Sequence, residues 1–423
     1  MCSAADFPPP PMGWNTWDCF GSLVTEEQVK ANADYMAEHL RPFGWDHIVI
    51  DIRWCEPRAS LQEPLTDGGT RDAFGRYQPA PNRFPSAAGG RGFRPLADYL
   101  HRKGLKFGLH IMRGIPRRAV ELRQPVWGAT CTADQIADVT SVCPWNPDNY
   151  GIDVTKPGGQ QYYDSLVALY DEWGVDFIKA DDMVRQAELD AFVRALGRAR
   201  PDLQLSLVGV TESAVLRSDR AVMYRICRDV WDEWDDPSTF WMGLREIFDV
   251  CARFAPSIAD GSYPDADMLP LGRIGKNDAV GEDRWTRFTR DEQVMLMSLW
   301  CIARSPLMFG GNLCEMDEFT LSLLTNRDLL AINQRAANSR PLFTEQAGVA
   351  WAADDRAGEA KYLALFNRGD SPLTVEVGLT DLGLTGRVAV RDLWQRADLG
   401  AHEPRLAVPL RPHSSVVYRL TPV

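Results

Sequence analysis

The hexapeptide Phe-Ile-Lys-Ala-Asp-Asp at residues 177–182 joins an apolar, extended start to a charged end. This arrangement is typical of a buried parallel strand whose last residues reach the functional edge of an α/β sheet. An amphipathic helical pattern precedes it, with Tyr163, Leu166, Tyr170 and Trp173 at helical spacing and Gly174 as the stop signal. The order of helix, glycine and strand indicates a repeating βα unit.

Seven further stretches have the same extended, β-rich character, and most are followed by a helical pattern. They lie at residues 12–17, 47–52, 106–111, 204–208, 222–227, 257–260 and 306–310. Eight such units predict an α/β fold of the (β/α)₈ barrel type, which we place at residues 1–333. The irregular stretch 56–94 reads as an insertion in a barrel loop.

Two helices carry a start signal in the sequence. Thr25 with Gln28, and Thr289 with Glu292, have the spacing of a capping box. After the first box, apolar residues recur at helical spacing until Gly44, which predicts one face packed on the barrel. These apolar residues are Val29, Ala33, Met36 and Leu40.

The pattern changes after about residue 333 to short alternating runs separated by Gly, Asp and Pro turns. The clearest runs lie at residues 361–366, 373–377, 388–393 and 415–420. We therefore predict a C-terminal antiparallel β-sandwich at residues 334–423.

Composition excludes several classes of function. The net charge is −12 with scattered Lys and Arg, which disfavours a nucleic-acid partner, and no apolar run approaches the roughly 20 residues of a membrane span. Nine cysteines form no CxxC pair and six histidines form no HExxH motif, so we predict reduced thiols, no metal and no cofactor. The first residues lack the features of a secretory signal, from which we expect a cytoplasmic location.

Acidic residues end or follow several of the predicted strands: Asp51, Asp181 with Asp182, and Asp229. Strand ends converge at one barrel mouth, and retaining glycoside hydrolysis needs two carboxyl groups about 5–5.5 Å apart there. Lys179 shares a strand face with Asp181 while Asp182 points to the other face, so we predict Asp181 as nucleophile, with Asp229 as a candidate for the second carboxyl group.

Other residues at the strand ends suit a sugar. The Trp17 ring offers an apolar face for sugar C–H groups, and His110 can hydrogen-bond a hydroxyl. Arg225 lies four residues before Asp229 and supports its charge, as Lys179 does for the carboxylates near it. The predicted partner is therefore an oligosaccharide or another glycoside.

Motifs along nearly the whole chain support this interpretation. Pro-Pro-Met-Gly-Trp-Asn-Thr-Trp at 10–17 and the hexapeptide at 177–182 are joined by family-like stretches at 95–108, 265–269, 305–311 and 321–334. In these motifs the chain resembles glycoside hydrolase family 27, the α-galactosidases and α-N-acetylgalactosaminidases. The resemblance implies a barrel with a C-terminal β-sandwich and a cofactor-free double displacement. The leading expectation is therefore a retaining exo-hydrolase of terminal α-galactoside-like residues.

The resemblance also implies roles for single residues. Asp181 matches the family nucleophile, Asp229 matches the acid/base, and Arg225 matches a sugar-binding position. Trp17, Asp51 and Lys179 match family positions that contact the terminal sugar. His110 stands where the family usually has Tyr.

The chain departs from the family pattern after the second strand, where Ile52 and Arg53 replace the second of two acids. Ile52 accepts no hydrogen bond, so a sugar without the O6 hydroxyl, such as β-L-arabinopyranose, is one alternative substrate. Arg53 favours a uronic acid or a sulfated galactose, unless it only anchors its loop. The loop 205–213 lacks the usual elements that read the C2 substituent, and the usual loop disulfide is absent, which predicts Cys143 and Cys227 as free thiols.

Two hypotheses from other classes stay open at this point. A barrel that binds carbohydrate without turnover is suggested by the altered loops, although both candidate catalytic acids are retained. A transglycosylase would form the same intermediate and pass the sugar to an acceptor hydroxyl.

Overall fold

The computed structural model describes residues 7–58, 65–211, 214–215, 219–236, 238, 240–277, 281–345, 347–402 and 404–423. The first six residues, 59–64 of the predicted insertion and Glu212 and Ser213 of the strand-five loop lie outside the described residues. Eight parallel strands form one curled sheet. They are β1 (Met12–Asn15), β2 (His47–Ile50), β3 (Lys106–Met112), β4 (Phe177–Asp181), β5 (Gln204–Leu207), β6 (Ala221–Arg225), β7 (Tyr263–Asp265) and β8 (Leu307–Phe309).

The strands follow the order β7-β6-β5-β4-β3-β2-β1-β8. A parallel bridge between Leu269, just beyond β7, and Phe309 of β8 links the two ends of this order. The Leu269 amide donates to the Met308 carbonyl at 2.8 Å. The predicted α/β barrel is confirmed.

Helices cover the outside of the sheet. They are α1 (Glu26–Tyr35), α2 (Arg94–Arg102), α3 (Gly159–Trp173), α4 (Gln186–Ala199), α5 (Leu244–Phe254), α6 (Arg290–Ile302), α7 (Glu318–Leu324) and α8 (Arg327–Arg335). Both predicted capping boxes are present, at Thr25 before α1 and at Thr289 before α6. The predicted apolar face of α1 and its continuation to Leu40 is fully buried, and the turn after it ends at left-handed Gly44.

A small apolar cluster fills the inside of the barrel. Val49, Phe177, Met223 and Met308 pack together there, and Trp17 lies against them. Because these side chains fill the barrel interior, the polar groups at the strand ends surround a mouth that is closed on its inner side by apolar residues.

The predicted position of the seventh strand was wrong. The sequence predicted residues 257–260, but Ser257 ends a 3₁₀ helix and Ala259 pairs with Ser262 across a tight turn. Gly261 occupies that turn with φ +84°, which a glycine adopts without strain. The chain enters the sheet only after this turn, so β7 ends at Asp265.

Three insertions follow strand ends. Between β3 and α3, a small antiparallel sheet contains Ile115–Pro116, Ala137–Val142 and Asn149–Ile152. Between β7 and α6, Arg273–Ile274 pairs with Arg284–Trp285 as a hairpin. The described part of 56–93 has two short 3₁₀ turns and one isolated antiparallel bridge between Arg71 and Tyr77, as expected for an irregular insertion.

The C-terminal strands are antiparallel and pack as two sheets. They are β9 (Ala337–Thr344), β10 (Gly348–Asp354), β11 (Lys361–Asn367), β12 (Leu373–Gly378), β13 (Val388–Asp392), β14 (Ala397–His402), β15 (Arg405–Leu410) and β16 (Ser414–Pro422). One sheet has the order β9-β10-β11-β16-β13-β14, and the other pairs β12 with β15. The predicted β-sandwich is confirmed.

The two parts meet along α6. Trp394 Nε1 donates to Ser298 Oγ at 2.8 Å, and Asn326 Nδ2 donates to the Leu393 carbonyl at 3.0 Å. The chain passes from α8 to β9 at Ala336, and a domain boundary at residues 333 and 334 stays a prediction. None of the described helices has the length and apolar character that crossing a membrane requires.

Candidate active site

An ion pair between Asp51 and Lys179 lies at the mouth of the barrel. Lys179 Nζ donates to Asp51 Oδ2 at 2.7 Å, and Asn15 Nδ2 donates to the same oxygen at 2.8 Å. The other oxygen, Oδ1, accepts from the amide of Ile52 at 2.8 Å. The strands β1, β2 and β4 supply these groups at their ends, which fixes the Asp51 carboxylate in one orientation.

The charge state of this pair follows from its surroundings. Burial opposes ionisation of Asp51, but the charge of Lys179 and then of His110 outweighs it, so the pKa of Asp51 lies below its ordinary value. Burial lowers the pKa of Lys179, whereas Asp51 and Asp181 raise it, with a raised pKa as the net result. Both groups therefore stay ionised near neutral pH.

We expect Asp51→Asn to lower the free energy of unfolding by about 3–5 kcal/mol at pH 7, because it leaves Lys179 buried without its partner. The pKa of Asp51 is lower in the folded chain than in the unfolded chain. Its contribution is therefore complete above the unfolded pKa of about 3.9 and is lost as the pH falls below that value.

Urea denaturation of both proteins at several pH values between 7 and 3 measures this difference. It should be constant above about pH 5 and shrink on acidification. A difference that grows as the pH falls would contradict the ion pair.

Asp181 is the last residue of β4, and its side chain is 15% exposed. His110 Nε2 from β3 lies 3.1 Å from Asp181 Oδ2, and the amide of Asp182 donates to Oδ1 at 2.7 Å. Each carboxylate oxygen of Asp181 thus has one partner, His110 on β3 or the amide that follows β4, and the side chain still reaches the mouth.

Asp182 turns away from the mouth, as the alternation of the strand predicted. Its φ is +54°, and its carboxylate accepts from Arg113 Nη2 at 2.9 Å. Arg113 also pairs with Glu188 of α4 at 2.6 Å. This buried network lies behind Asp181 and anchors the turn that ends β4.

Arg225 at the end of β6 is buried among three carboxylates. Its Nη1 donates to Asp229 Oδ1 at 3.0 Å, its Nε lies 3.4 Å from Asp265 Oδ2, and its Nη2 pairs with Asp267. The Asp229 side chain is 45% exposed. Asp229 is therefore oriented by a fixed cation and still faces solvent.

The carboxylates around Arg225 also act on each other. Burial raises the pKa of Asp267 to about 6, against the opposing charge of Arg225 and with added repulsion from Asp229 and Asp265. Burial, reinforced by Asp267 and Asp229, raises the pKa of Asp18 well above its ordinary value. These interactions place Asp18, from the turn after β1, in the same cluster.

The structure brings most of the predicted residues together. Lys179 interacts electrostatically with Asp51, Asp181 and Arg225, and His110 interacts with Asp51. The groups around Asp51 and the groups around Arg225 therefore form one cluster. Trp17 lies at its edge, partly buried over the barrel interior.

Ile52 and Arg53 differ from each other in their surroundings. Ile52 follows Asp51 directly and is 5% exposed. Arg53 is also buried, and its Nη2 pairs with Asp148 Oδ2 at 3.1 Å. This contact ties Arg53 to the insertion after β3.

Two family models match this chain. A family model described as alpha galactosidase A matches residues 9–119 and 150–335, and one described as the alpha galactosidase C-terminal beta sandwich domain matches residues 346–420. The chain belongs to glycoside hydrolase family 27. Family 27 enzymes are retaining glycosidases, so this chain is an O-glycosyl hydrolase that acts on glycosides.

Several solved or curated proteins are similar along most of their length. A β-L-arabinopyranosidase from Geobacillus stearothermophilus shares 46% identity over 98% of this chain and 97% of its own, with a TM-score of 0.93. A proposed α-N-acetylgalactosaminidase from Bacillus halodurans shares 42% identity over 99% of this chain and 100% of its own, with a TM-score of 0.88. Alpha-galactosidase 2 of Arabidopsis thaliana is 25% identical over 97% of this chain and 89% of its own.

Sequence reasoning missed several residues of this family 27 site. Asn15, Asp265 and Asp267 contact the predicted residues directly, and Asp148 pairs with Arg53. Asp265 and Asp267 lie in the family-like stretch 265–269, but the misplaced seventh strand hid that they follow a strand end.

The cysteines near the site are free thiols, as predicted. Cys143 and Cys227 are both buried and form no disulfide. Burial raises the pKa of Cys143 to about 12, with Asp182 adding to the shift. Neither thiol is ionised near neutral pH, so neither provides a nucleophile.

Proposed function

We propose that this family 27 enzyme is an exo-acting β-L-arabinopyranosidase that works with retention. The observation that carries the proposal is Ile52, a buried apolar side chain next to Asp51 where the family usually has a second acid. β-L-Arabinopyranose has the ring configuration of α-D-galactopyranose but lacks the C6 hydroxymethyl group. An apolar side chain suits a sugar without this group, whereas an O6 hydroxyl buried beside Ile52 would have no hydrogen-bond acceptor there.

The chemistry proposed for the carboxyl groups is a double displacement. Asp181 attacks the anomeric carbon while Asp229 gives its proton to the leaving oxygen, which breaks the glycosidic bond and leaves a glycosyl ester on Asp181. Asp229, now a carboxylate, takes a proton from water. The water oxygen attacks the anomeric carbon, the ester bond breaks and Asp181 returns to its ionised form.

Further residues have binding roles in this proposal. Asp51 and Lys179 bind sugar hydroxyls as an ionised pair, and Trp17 offers its ring to the C–H face. His110 holds the Asp181 carboxylate, and Arg225 orients Asp229 and contacts the sugar. The contacts at 2.7–3.1 Å within this set support these roles.

A uronic acid or sulfated sugar is less well supported than arabinopyranose. Such a substrate needs a cation that is available to its charge. Arg53 is buried and already paired with Asp148, which favours the role of a loop anchor.

A panel of aryl glycosides tests the proposal. It contains β-L-arabinopyranoside, α-D-galactopyranoside, α-N-acetylgalactosaminide and α-D-galacturonide, assayed with the wild type and with Asp181→Asn. We expect the highest kcat/KM for the arabinopyranoside and none in the variant. Preference for another sugar would overturn the proposed specificity, and no turnover at all would favour a carbohydrate-binding role.

We expect Ile52→Asp to shift preference towards α-D-galactopyranoside. Restoring the acceptor should change the ratio of kcat/KM for galactoside over arabinopyranoside by about tenfold or more, since a buried unpaired hydroxyl costs about 1–3 kcal/mol. Ile52→Val is the matched control and should keep the wild-type ratio. An unchanged ratio in folded Ile52→Asp would mean that residue 52 does not determine specificity.

We further propose that the enzyme works in the cytoplasm. The eight cysteines that the structure describes are all free thiols, although most are buried in a large chain. Free cysteines of this kind are typical of proteins from a reducing compartment. Detection of a disulfide in the protein isolated from its native cells would contradict this location.

A further inference from the structure

Three aromatic rings form a continuous cluster on the segment that follows Asp229. Trp231 and Trp241 have ring centroids 6.1 Å apart, and Trp241 and Phe240 lie 4.7 Å apart, both edge to face. Trp231 and Trp241 are partly exposed, and the Phe240 side chain is 62% exposed. Apolar rings thus face solvent together, although no contact assigned to the terminal sugar uses them.

This aromatic cluster is attached directly to the proposed acid/base. The Met242 amide donates to the Asp229 carbonyl at 2.9 Å, and Val230 pairs with Met242 as a parallel bridge. The described residues at the two ends of the segment 230–242 therefore lie side by side next to Asp229. Trp231 follows Val230 and Trp241 precedes Met242, so each tryptophan is next in sequence to one residue of this bridge.

The segment is held at its base by buried charge. Arg284 donates to both oxygens of Asp232, at 3.0 and 2.7 Å, and the guanidinium lies 5.8 Å from the Trp231 ring centroid. Val230 donates its amide to Asp267 Oδ2 at 2.7 Å. The rings are consequently presented on a fixed support, and their positions relative to Asp229 are set by the barrel.

We propose that Trp231, Phe240 and Trp241 form the binding site for the leaving-group sugar of the substrate. The inference rests on the proposed function, in which Asp229 protonates the oxygen between the two sugars. The leaving group must lie on the open side of Asp229, and the aromatic cluster is built on that residue's own segment. Pyranose C–H faces bind aromatic rings, and Arg284 beside them can donate to hydroxyls.

The same site would receive an acceptor sugar in the second half-reaction. An acceptor hydroxyl loses its proton to the Asp229 carboxylate, its oxygen bonds to the anomeric carbon, and the ester bond to Asp181 breaks. The products are a new glycoside and regenerated Asp181, with Asp229 protonated. Transfer to a sugar acceptor is therefore a direct measure of this site, separate from cleavage of the donor.

The test uses β-L-arabinopyranosyl fluoride as a donor without a leaving-group sugar and methyl β-D-galactopyranoside as acceptor. The kcat/KM for fluoride release reports the first step, and the ratio of transfer product to free arabinose reports acceptor binding. The variants are Phe240→Ala and Trp241→Ala. The matched control is Trp285→Ala, another exposed tryptophan, which shares a face with Arg273 and alternates away from Arg284.

We expect Phe240→Ala and Trp241→Ala each to lower the transfer ratio by about three- to tenfold, the size of an aromatic contact. Fluoride release should stay near wild type in both variants, and Trp285→Ala should match wild type in both measurements. Unchanged ratios in both aromatic variants, or no transfer by the wild type at high acceptor concentration, would overturn the inference.

Two further outcomes concern the donor reaction and contacts between copies of the chain. Absence of fluoride release by the wild type would overturn the proposed function itself, and the inference with it. If sedimentation velocity shows that the aromatic variants change the oligomeric state while the ratios stay constant, the cluster is a contact between copies of the chain and the inference is overturned.

Discussion

Asp181→Asn is expected to lower kcat about 10⁴-fold or more on every glycoside substrate, because an amide does not form the glycosyl ester. The carboxylate occupies the end of β4 and is oriented by His110 and by the Asp182 amide. An asparagine fits the same space, so the loss should be chemical rather than structural. Steady-state kinetics with the arabinopyranoside, together with a thermal unfolding curve, measures both aspects.

The neighbouring residue provides the matched control. Asp182→Asn makes the same change one position along the chain, where the side chain faces Arg113 instead of the mouth. This variant should be less stable because Arg113 loses a charged partner, but the folded protein should keep turnover. Loss of turnover in folded Asp182→Asn with retention in Asp181→Asn would exchange the two assignments.

Asp229→Asn is expected to lower kcat/KM by about 10²–10⁴-fold for substrates with poor leaving groups, because it removes the proton donor. An alkyl glycoside or disaccharide needs that proton to release its oxygen. Fluoride and nitrophenolate leave without it, so glycosylation by such donors should change much less. The measurement is a comparison of kcat/KM for one sugar with several leaving groups of increasing pKa.

The dependence on leaving-group pKa decides the role of Asp229. In the wild type the dependence should be shallow, and in Asp229→Asn it should become steep. Arg225 keeps its contacts with Asp265 and Asp267 in this variant, which preserves the end of β6. An equal loss for all leaving groups would instead assign Asp229 to binding of the terminal sugar.

The barrel was predictable because its strands and helices carry local signals. The hexapeptide at 177–182 and the capping boxes at Thr25 and Thr289 depend on residues close in sequence, and each has the predicted structure. The alternation of β4 also placed Lys179 and Asp181 on the mouth face, with Asp182 turned away. Regular strand geometry accounts for Lys179 and Asp181, whereas Asp182 lies just beyond β4 with φ +54° and is held by Arg113.

Partners that come from distant strands could not be predicted in the same way. Arg225 was expected to support Asp229, but its contacts with Asp265 and Asp267 depend on where β7 begins. That start is set by the turn at Gly261, and Asp260 of the Asp-Gly pair at 260–261, itself a turn signal, was included in the predicted strand instead. Placing the strand at 257–260 separated these acids from the site.

Arg53 illustrates a second limit of sequence reasoning. A cation beside Asp51, which we propose binds the sugar, suggested a charged substrate, with a loop anchor as the alternative. Asp148, which pairs with it, lies in the insertion after β3 and carries no motif. The partner of a buried charge is decided by tertiary packing, and only the structure distinguishes the two roles of Arg53.

Mass spectrometry of a trapped glycosyl-enzyme tests the central claim, that Asp181 carries the sugar through a retaining reaction. The enzyme is incubated with a fluorinated glycosyl fluoride of the sugar selected by the glycoside panel and then digested, and the labelled peptide is fragmented. We predict one fluorosugar ester on Asp181, with no label in the Asp181→Asn variant. A label on Asp182, Asp229 or Asp51, or turnover of the sugar without any label, would contradict the assignment.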